Sequence, residues 1–269
     1  MQLIQVDAHH HQISAFNRAF QFGDGHFTTL LIENKHICLW HLHKARLLHA
    51  NQTLFFPEID LDKIEIELNQ IAQTGQAKIV KILVSRGNSQ RGYAIPEGAQ
   101  AQVYLFISDY HAGHFSYPDG VHLALLTTQI GQQPSLAGLK HCNRLEQVLI
   151  KHELSALNAT DGLVFDKDGQ LIETSLANVF LLINDIWVTP DLSLSGVAGV
   201  MRQFCLDSLP DQGIKTEIRK ISRSDLANAS AGFITNALMK SVPIASVEAQ
   251  YLDLELAQII TRKLNEAVF

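Results

Sequence analysis

The hydrophobic pattern of this chain changes character at residues 109–120, and that change limits what it can fold into. Before it, strand-like and helix-like runs are long and separate. Residues 27–32 alternate apolar and polar, Glu33, Asn34 and Lys35 supply a turn, and residues 36–40 return, which predicts a hairpin. Residues 41–54 (HLHKARLLHANQTL) space Leu42, Ala45, Leu48 and Leu54 as a helix would, and residues 61–73 (LDKIEIELNQIAQ) do so with Ile64, Leu68 and Ile71. Residues 78–85 and 102–108 read as two more strands. After the change the strands become short and closely spaced, at 122–127, 162–165, 178–183 and 186–189. DKDG at 166–169 and Asn184-Asp185 provide the turns. Helices are expected at 145–157, 201–209 and 254–265.

This order predicts an α+β chain of two domains. A smaller N-terminal α/β sandwich occupies residues 1–112, a linker rich in Gly, Pro, Ser and Asp runs from 113 to 120, and a larger β-barrel-like domain with helices fills 121–269. Charge and composition narrow the function. With 21 basic and 27 acidic side chains, and no run of Lys or Arg, the chain is not expected to bind nucleic acid. No apolar run approaches the roughly 18 residues of a membrane span, so no membrane partner is expected. Residues 1–6, followed by Asp7 and His9 to His11, lack the basic and apolar regions of a signal peptide. Cys38, Cys142 and Cys205 are far apart and form no CxxC pair, which suits a reducing cytoplasm.

Several motifs carry chemistry. GLKHCN at 138–143 isolates Lys140 between an apolar approach and a polar turn. GVAGVMRQF at 196–204 places two glycines before a helix, where backbone N–H groups of Val200 and Met201 could receive an anion. In HLHKARL, His43 and Arg46 stand three apart and share a helix face, and the arginine fork suits phosphate oxygens. LIETSLANVF at 171–180 puts Glu173 at the end of an apolar strand, with Thr174, Ser175 and Asn178 behind it; buried there, its carboxylate needs a partner. QFGDGHFTT at 21–29 needs no ligand as a hairpin entry. His9, His10 and His11 are consecutive, and His41 and His43 are two apart, so no metal site of HExxH type is expected. Ser85, Ser175 and Cys142 have no GxSxG context. LEQVLI at 145–150 should begin a packed helix with Leu145, Val148 and Leu149 turned inward.

A lysine amine, a carboxylate, an arginine and a glycine-led helix start are the groups that pyridoxal 5′-phosphate requires. With these motifs in order, together with SRGNSQRGY and TNALM, the chain resembles the fold-type IV pyridoxal-phosphate enzymes along essentially its whole length. Phe27-Thr28-Thr29, where D-amino-acid transaminases carry a tyrosine and then an acidic residue, makes the likeness greatest to the lyase branch of that family. The resemblance implies a cofactor held between two domains, Lys140 as the Schiff-base lysine and Glu173 at the pyridine nitrogen. It implies Arg46, Val200, Met201 and Asn236 at the phosphate, Asn178 beside the pocket, and Phe27, Thr29, Arg91 and Tyr93 toward the substrate. It implies a cytoplasmic homodimer acting on a small molecule: a lyase that converts 4-amino-4-deoxychorismate to 4-aminobenzoate and pyruvate in folate biosynthesis. The alternative is a D-amino-acid or branched-chain aminotransferase of the same fold. A non-enzymatic binding module would leave Lys140, Glu173 and Arg46 without a common task. Arg86, Arg91 and Lys81 remain open as cations for the substrate carboxylates.

Overall fold

A computed structural model describes residues 1–6 and 13–268; His9, His10 and His11 lie outside the described residues. The chain divides into two compact units, Met1–His114 with Leu139–Asn143, and Phe115–Gly138 with Arg144–Val268.

The first unit contains β1 (Gln2–Val6), α1 (Arg18–Phe22), β2 (Gly25–Glu33), β3 (His36–Ile37), α2 (Trp40–Thr53), α3 (Leu61–Gln73), β4 (Lys78–Ser85) and β5 (Gln102–Asp109). Its five strands form one sheet in the order β1-β5-β4-β2-β3, antiparallel except for β1 on β5. The hairpin closes on Asn34 and Lys35 at φ 54° and 64°, a two-residue turn whose twist matches that of the strands. Its second strand is shorter than the pattern predicts, because Trp40 already belongs to α2. On β2 the side chains of Leu30 and Ile32 join Val80, Ile82, Val103 and Leu105 beneath the helices.

Helix α3 has the predicted bounds. Asp60 caps it by accepting the Lys63 N–H at 2.9 Å, and Ile64, Leu68 and Ala72 form its buried stripe. Each such leucine or isoleucine contributes roughly 1.5–3 kcal/mol by leaving water. Helix α2 also forms where expected, but through a different face. Trp40, His43, Leu47 and Ala50 are buried, whereas Leu48 is exposed. A histidine takes an inward position that the apolar pattern assigned to leucine and alanine.

The second unit contains β6 (Val121–Leu125), α4 (Leu145–Leu154), β7 (Asp161–Phe165), β8 (Leu171–Thr174), β9 (Asn178–Ile183), β10 (Ile186–Pro190), α5 (Val200–Asp211), β11 (Thr216–Arg219), α6 (Arg223–Leu226), β12 (Ala229–Asn236), β13 (Lys240–Val247), β14 (Gln250–Tyr251) and α7 (Leu254–Glu266). Eight strands run in the order β11-β10-β9-β12-β13-β6-β7-β8, with β14 added on β13. The sheet curls until β8, at one end of the order, packs on β9 and β10, which makes the unit barrel-like. Phe180 and Phe233 stack inside it with ring centroids 4.8 Å apart. The α+β class and the barrel-like second half match the expectation.

Helix α4 departs from it. Leu145, Val148 and Leu149 are 80%, 61% and 58% exposed, and the helix packs instead through Ile150 and Leu154. The apolar spacing was real, but it marked the outward face. The helix also ends at Leu154, because the 3.6-residue pattern extends past the last residue with an inward partner.

Candidate active site

In the first unit, residues 139–143 dock against the edge of β2. The Phe27 N–H donates to the Lys140 carbonyl at 2.9 Å, and the Cys142 N–H donates to the Gly25 carbonyl at 2.8 Å. His26 and His141 are therefore opposed, and the Lys140 and Phe27 side chains share one face. Lys140 Nζ lies 5.0 Å from the Phe27 ring centroid, and Lys81 Nζ lies 4.5 Å from the same centroid. Two cationic side chains thus share one ring, which is attractive to each and concentrates positive charge there. The glycines of QFGDG have a use that reading them as a hairpin entry missed. A Cβ on Gly23, at φ 65°, would collide with the Asn143 side chain, and one on Gly25 would stand 3.0 Å from Cys142 Sγ as well as 2.9 Å from the Val84 carbonyl. Bare backbone at both positions leaves room for the lysine-bearing segment.

The opposite face of β2 carries a buried polar row. Thr28 Oγ1 is 2.6 Å from His43 Nδ1 and accepts from Arg46 Nη1 at 3.3 Å. His26 Nε2 lies 2.6 Å from Asn51 Oδ1, while the Asn51 amide nitrogen donates to the Pro57 carbonyl. Burial pushes the His26 imidazole down to about 4, with Arg86 acting the same way and the Asn51 contact opposing, and it drives His43 well below its usual range. Both rings are neutral near neutral pH.

In the second unit, Glu173 and Asn178 hold one residue from both sides. Glu173 Oε2 accepts the Val197 N–H at 2.9 Å, and the Asn178 amide donates to the Val197 carbonyl at 2.9 Å. Gly138 extends the grip, donating to the Gly196 carbonyl at 2.9 Å and accepting from the Ala198 N–H at 3.0 Å. The turn ends at Gly199, the N-cap of α5, where no side chain caps the helix. Backbone N–H groups of Val200 and Met201 therefore open α5 without a side-chain acceptor, an electropositive end suited to an anion. Asn236 closes the turn after β12, its Oδ1 accepting from the Leu238 and Met239 N–H groups at 2.9 Å each.

The candidates thus gather into three groups: Lys140 with Phe27, Thr28 with His43 and Arg46, and Glu173 with Asn178 and the 196–201 turn. Thr29 is half-buried on the Lys140 face of β2. Arg91 and Tyr93 occupy the exposed 88–95 stretch, where the Tyr93 ring meets Phe22 edge-on and its carbonyl accepts from Arg18. Arg86 is withdrawn from substrate duty: it is buried against Asp24 at 2.8 Å and donates to the Leu54 and Phe55 carbonyls. Sequence reasoning missed three residues. Asp24 binds both Arg18 and Arg86; Thr28 joins β2 to α2; and Arg202, buried under the start of α5, donates to the Pro190 carbonyl at 2.9 Å. Only Thr28 left a trace, in the FTT triplet. Among the described residues no cluster of His, Cys, Asp and Glu could hold a metal ion, and no helix is long and apolar enough to cross a membrane.

Comparison with known proteins converges on one group. The profile of the class IV amino-transferases matches residues 25–247. Aminodeoxychorismate lyase of Vibrio harveyi is 32% identical over 253 residues, 93% of each chain. The crystal structure of 4-amino-4-deoxychorismate lyase from Pseudomonas aeruginosa superposes with a TM-score of 0.87 at 33% identity, covering 96% of both chains. D-alanine aminotransferase of Bacillus licheniformis is 23% identical over 94% of this chain and 89% of its own. The chain belongs to the class IV amino-transferase family.

Proposed function

We propose that this chain is a pyridoxal-phosphate-dependent carbon–oxygen lyase that converts 4-amino-4-deoxychorismate to 4-aminobenzoate and pyruvate, a step of folate biosynthesis. The observation that carries the reading is the identity of about one third to two aminodeoxychorismate lyases along nearly the whole chain. The residues suit the cofactor: an uncapped helix start after a turn where a Cβ on Gly199 would stand 2.0 Å from Asn178 Oδ1, and an arginine already oriented by a buried hydroxyl.

Lys140 is the residue that attaches the cofactor. Glu173 holds the ring nitrogen, and Arg46 with the Val200 and Met201 N–H groups holds the phosphate. Asn178 and Asn236 keep the two adjoining turns in shape. When bound, pyridoxal phosphate supplies an aldehyde that captures an amine and a protonated ring that accepts an electron pair. With its amine free, Lys140 would be the general base for the proton on the ring carbon that bears the substrate amine. It is also the acid that returns a proton to the departing enolpyruvyl group. Phe27 and Thr29, on the Lys140 face of β2, contact the substrate, as do Arg91 and Tyr93. Lys81, sharing the Phe27 ring with Lys140, is the cation best placed to receive a substrate carboxylate. The enzyme works in the cytoplasm, a reading supported by three cysteines of which none is in a disulfide. A second copy covers the outward stripe of α4 formed by Leu145, Val148 and Leu149, because so many exposed aliphatic groups on one helix face favour association.

Two incubations test the activity. With 4-amino-4-deoxychorismate the protein should release 4-aminobenzoate, and with D-alanine and 2-oxoglutarate it should release little glutamate. Glutamate without 4-aminobenzoate would establish the aminotransferase reading instead. Light scattering tests the assembly, and a monomer at micromolar concentration would reject the homodimer.

A further inference from the structure

We propose that Thr28 and His43 are positioning residues for Arg46: a one-way chain of hydrogen bonds, Arg46 to Thr28 to His43, sets the guanidinium to receive the cofactor phosphate. The inference rests on the reading of Arg46 as a phosphate ligand. Thr28 is 0% exposed and His43 is 1% exposed, so water does not compete for their polar atoms. Their hydrogen-bond roles follow from valence. An arginine nitrogen can only donate, so the contact at 3.3 Å uses a lone pair of Thr28 Oγ1. A hydroxyl has one proton, and the remaining partner is His43 Nδ1 at 2.6 Å. Of these two partners only His43 Nδ1 can accept the hydroxyl proton, and it does so as the unprotonated nitrogen, with the ring neutral and its proton on Nε2. Burial of the ring, and the nearby positive charge of Arg46, favour that neutral form independently.

The consequence is directional. A hydroxyl without His43 could turn its proton toward the guanidinium and repel it. With His43 accepting, the lone pair faces Arg46 permanently. One of the five guanidinium N–H groups is then fixed to β2, which lowers the entropy that the side chain loses on gripping a dianion. His43 and Arg46 stand three residues apart on α2, so one helix face delivers both ends of the chain to one strand residue.

The test compares pyridoxal 5′-phosphate with pyridoxal, which lacks the phosphate, by absorbance titration of the full-length apoenzyme. Thr28→Val should weaken the phosphorylated ligand about tenfold, equivalent to about 1.4 kcal/mol, leave pyridoxal unchanged, and be rescued by Thr28→Ser. His43→Leu should give the same selective loss and carries the test if Thr28→Val does not fold. Equal weakening of both ligands, or no weakening, overturns the proposal. Arg46→Ala separates the two layers. A selective loss there without one in Thr28→Val rejects the positioning chain alone, whereas no selective loss in Arg46→Ala rejects the phosphate assignment and the chain with it.

Discussion

Lys140 and Phe27 are joined twice, by a backbone hydrogen bond of 2.9 Å and by an approach of the amine to 5.0 Å from the ring centroid. The first contact fixes the backbone of a short segment to a sheet edge, so the Lys140 side chain inherits the rigidity of β2. The second gives the amine an apolar wall on the face where it emerges. A site on a strand edge is held more tightly than one on a free loop, which suits the proposed role of Lys140 in moving protons at one defined carbon.

Replacing Lys140 by alanine should remove the cofactor's visible absorbance and lower 4-aminobenzoate formation by on the order of 10³-fold or more, since covalent attachment and proton transfer are lost together. The backbone bonds of residues 139–143 do not involve the side chain, so circular dichroism should stay unchanged. A visible band that persists in this variant would transfer the attachment to another lysine.

Glu173→Gln separates charge from structure. The amide oxygen can still accept the Val197 N–H that Glu173 Oε2 now receives at 2.9 Å, so the 196–201 turn should survive. Lost is the negative charge proposed to keep a ring nitrogen protonated. Turnover should fall by about 10²-fold while cofactor affinity changes little, the pattern of an interaction made mainly in the transition state. Wild-type turnover in this variant would remove Glu173 from the ring nitrogen.

What the sequence disclosed follows from the range of the interactions. Helix α3 and the Asn34-Lys35 and Asn184-Asp185 turns are encoded locally, by period and by residues tolerant of positive φ, and they form as read. The lysine, carboxylate, arginine and helix-start motifs could be proposed from sequence because each is a residue type in a recognisable local frame. Asp24 was not, since its partner Arg86 is 62 positions away and no local pattern announces a buried ion pair. The α4 stripe was misread for a related reason: Leu145, Val148 and Leu149 define a face, but the sequence does not say whether the chain itself covers it.

Gly199→Ala tests the close approach at the start of α5. Its φ of −66° suits alanine, so backbone strain is not the issue. The added Cβ would stand 2.0 Å from Asn178 Oδ1 and must drive that side chain off the Val197 carbonyl. The melting temperature should drop by several degrees, as overpacking commonly costs about 1–3 kcal/mol, and pyridoxal phosphate should bind more weakly. Adding Asn178→Ala should restore part of the lost stability, because it vacates the space the methyl needs. Simple additivity of the two losses would mean that the residues do not compete for it.

The buried imidazole of His26 predicts an acid-sensitive first unit. Its folded value of about 4 lies below the ordinary 6.5, so the folded state binds fewer protons than the unfolded chain. Its contribution to stability is therefore fully present above pH 6.5 and is lost as pH falls from there toward 4. At pH 5 the loss amounts to on the order of 2 kcal/mol. Burial is the main cause, and the positive charge of Arg86 adds to it. Asp24 and Glu153, whose carboxyls are held below their usual range, titrate at lower pH and so contribute little above pH 5. His43, shifted in the same direction as His26, remains in any His26 variant and leaves a residual slope. Urea unfolding at pH 7.5 and pH 5 should therefore show a smaller loss in His26→Gln than in the wild type, by about 2 kcal/mol. The variant should be the less stable protein at pH 7.5, because it disturbs the ring packed edge-on against Phe56 at 5.1 Å. Identical pH slopes in the two proteins would show that His26 titrates as it does in the unfolded chain.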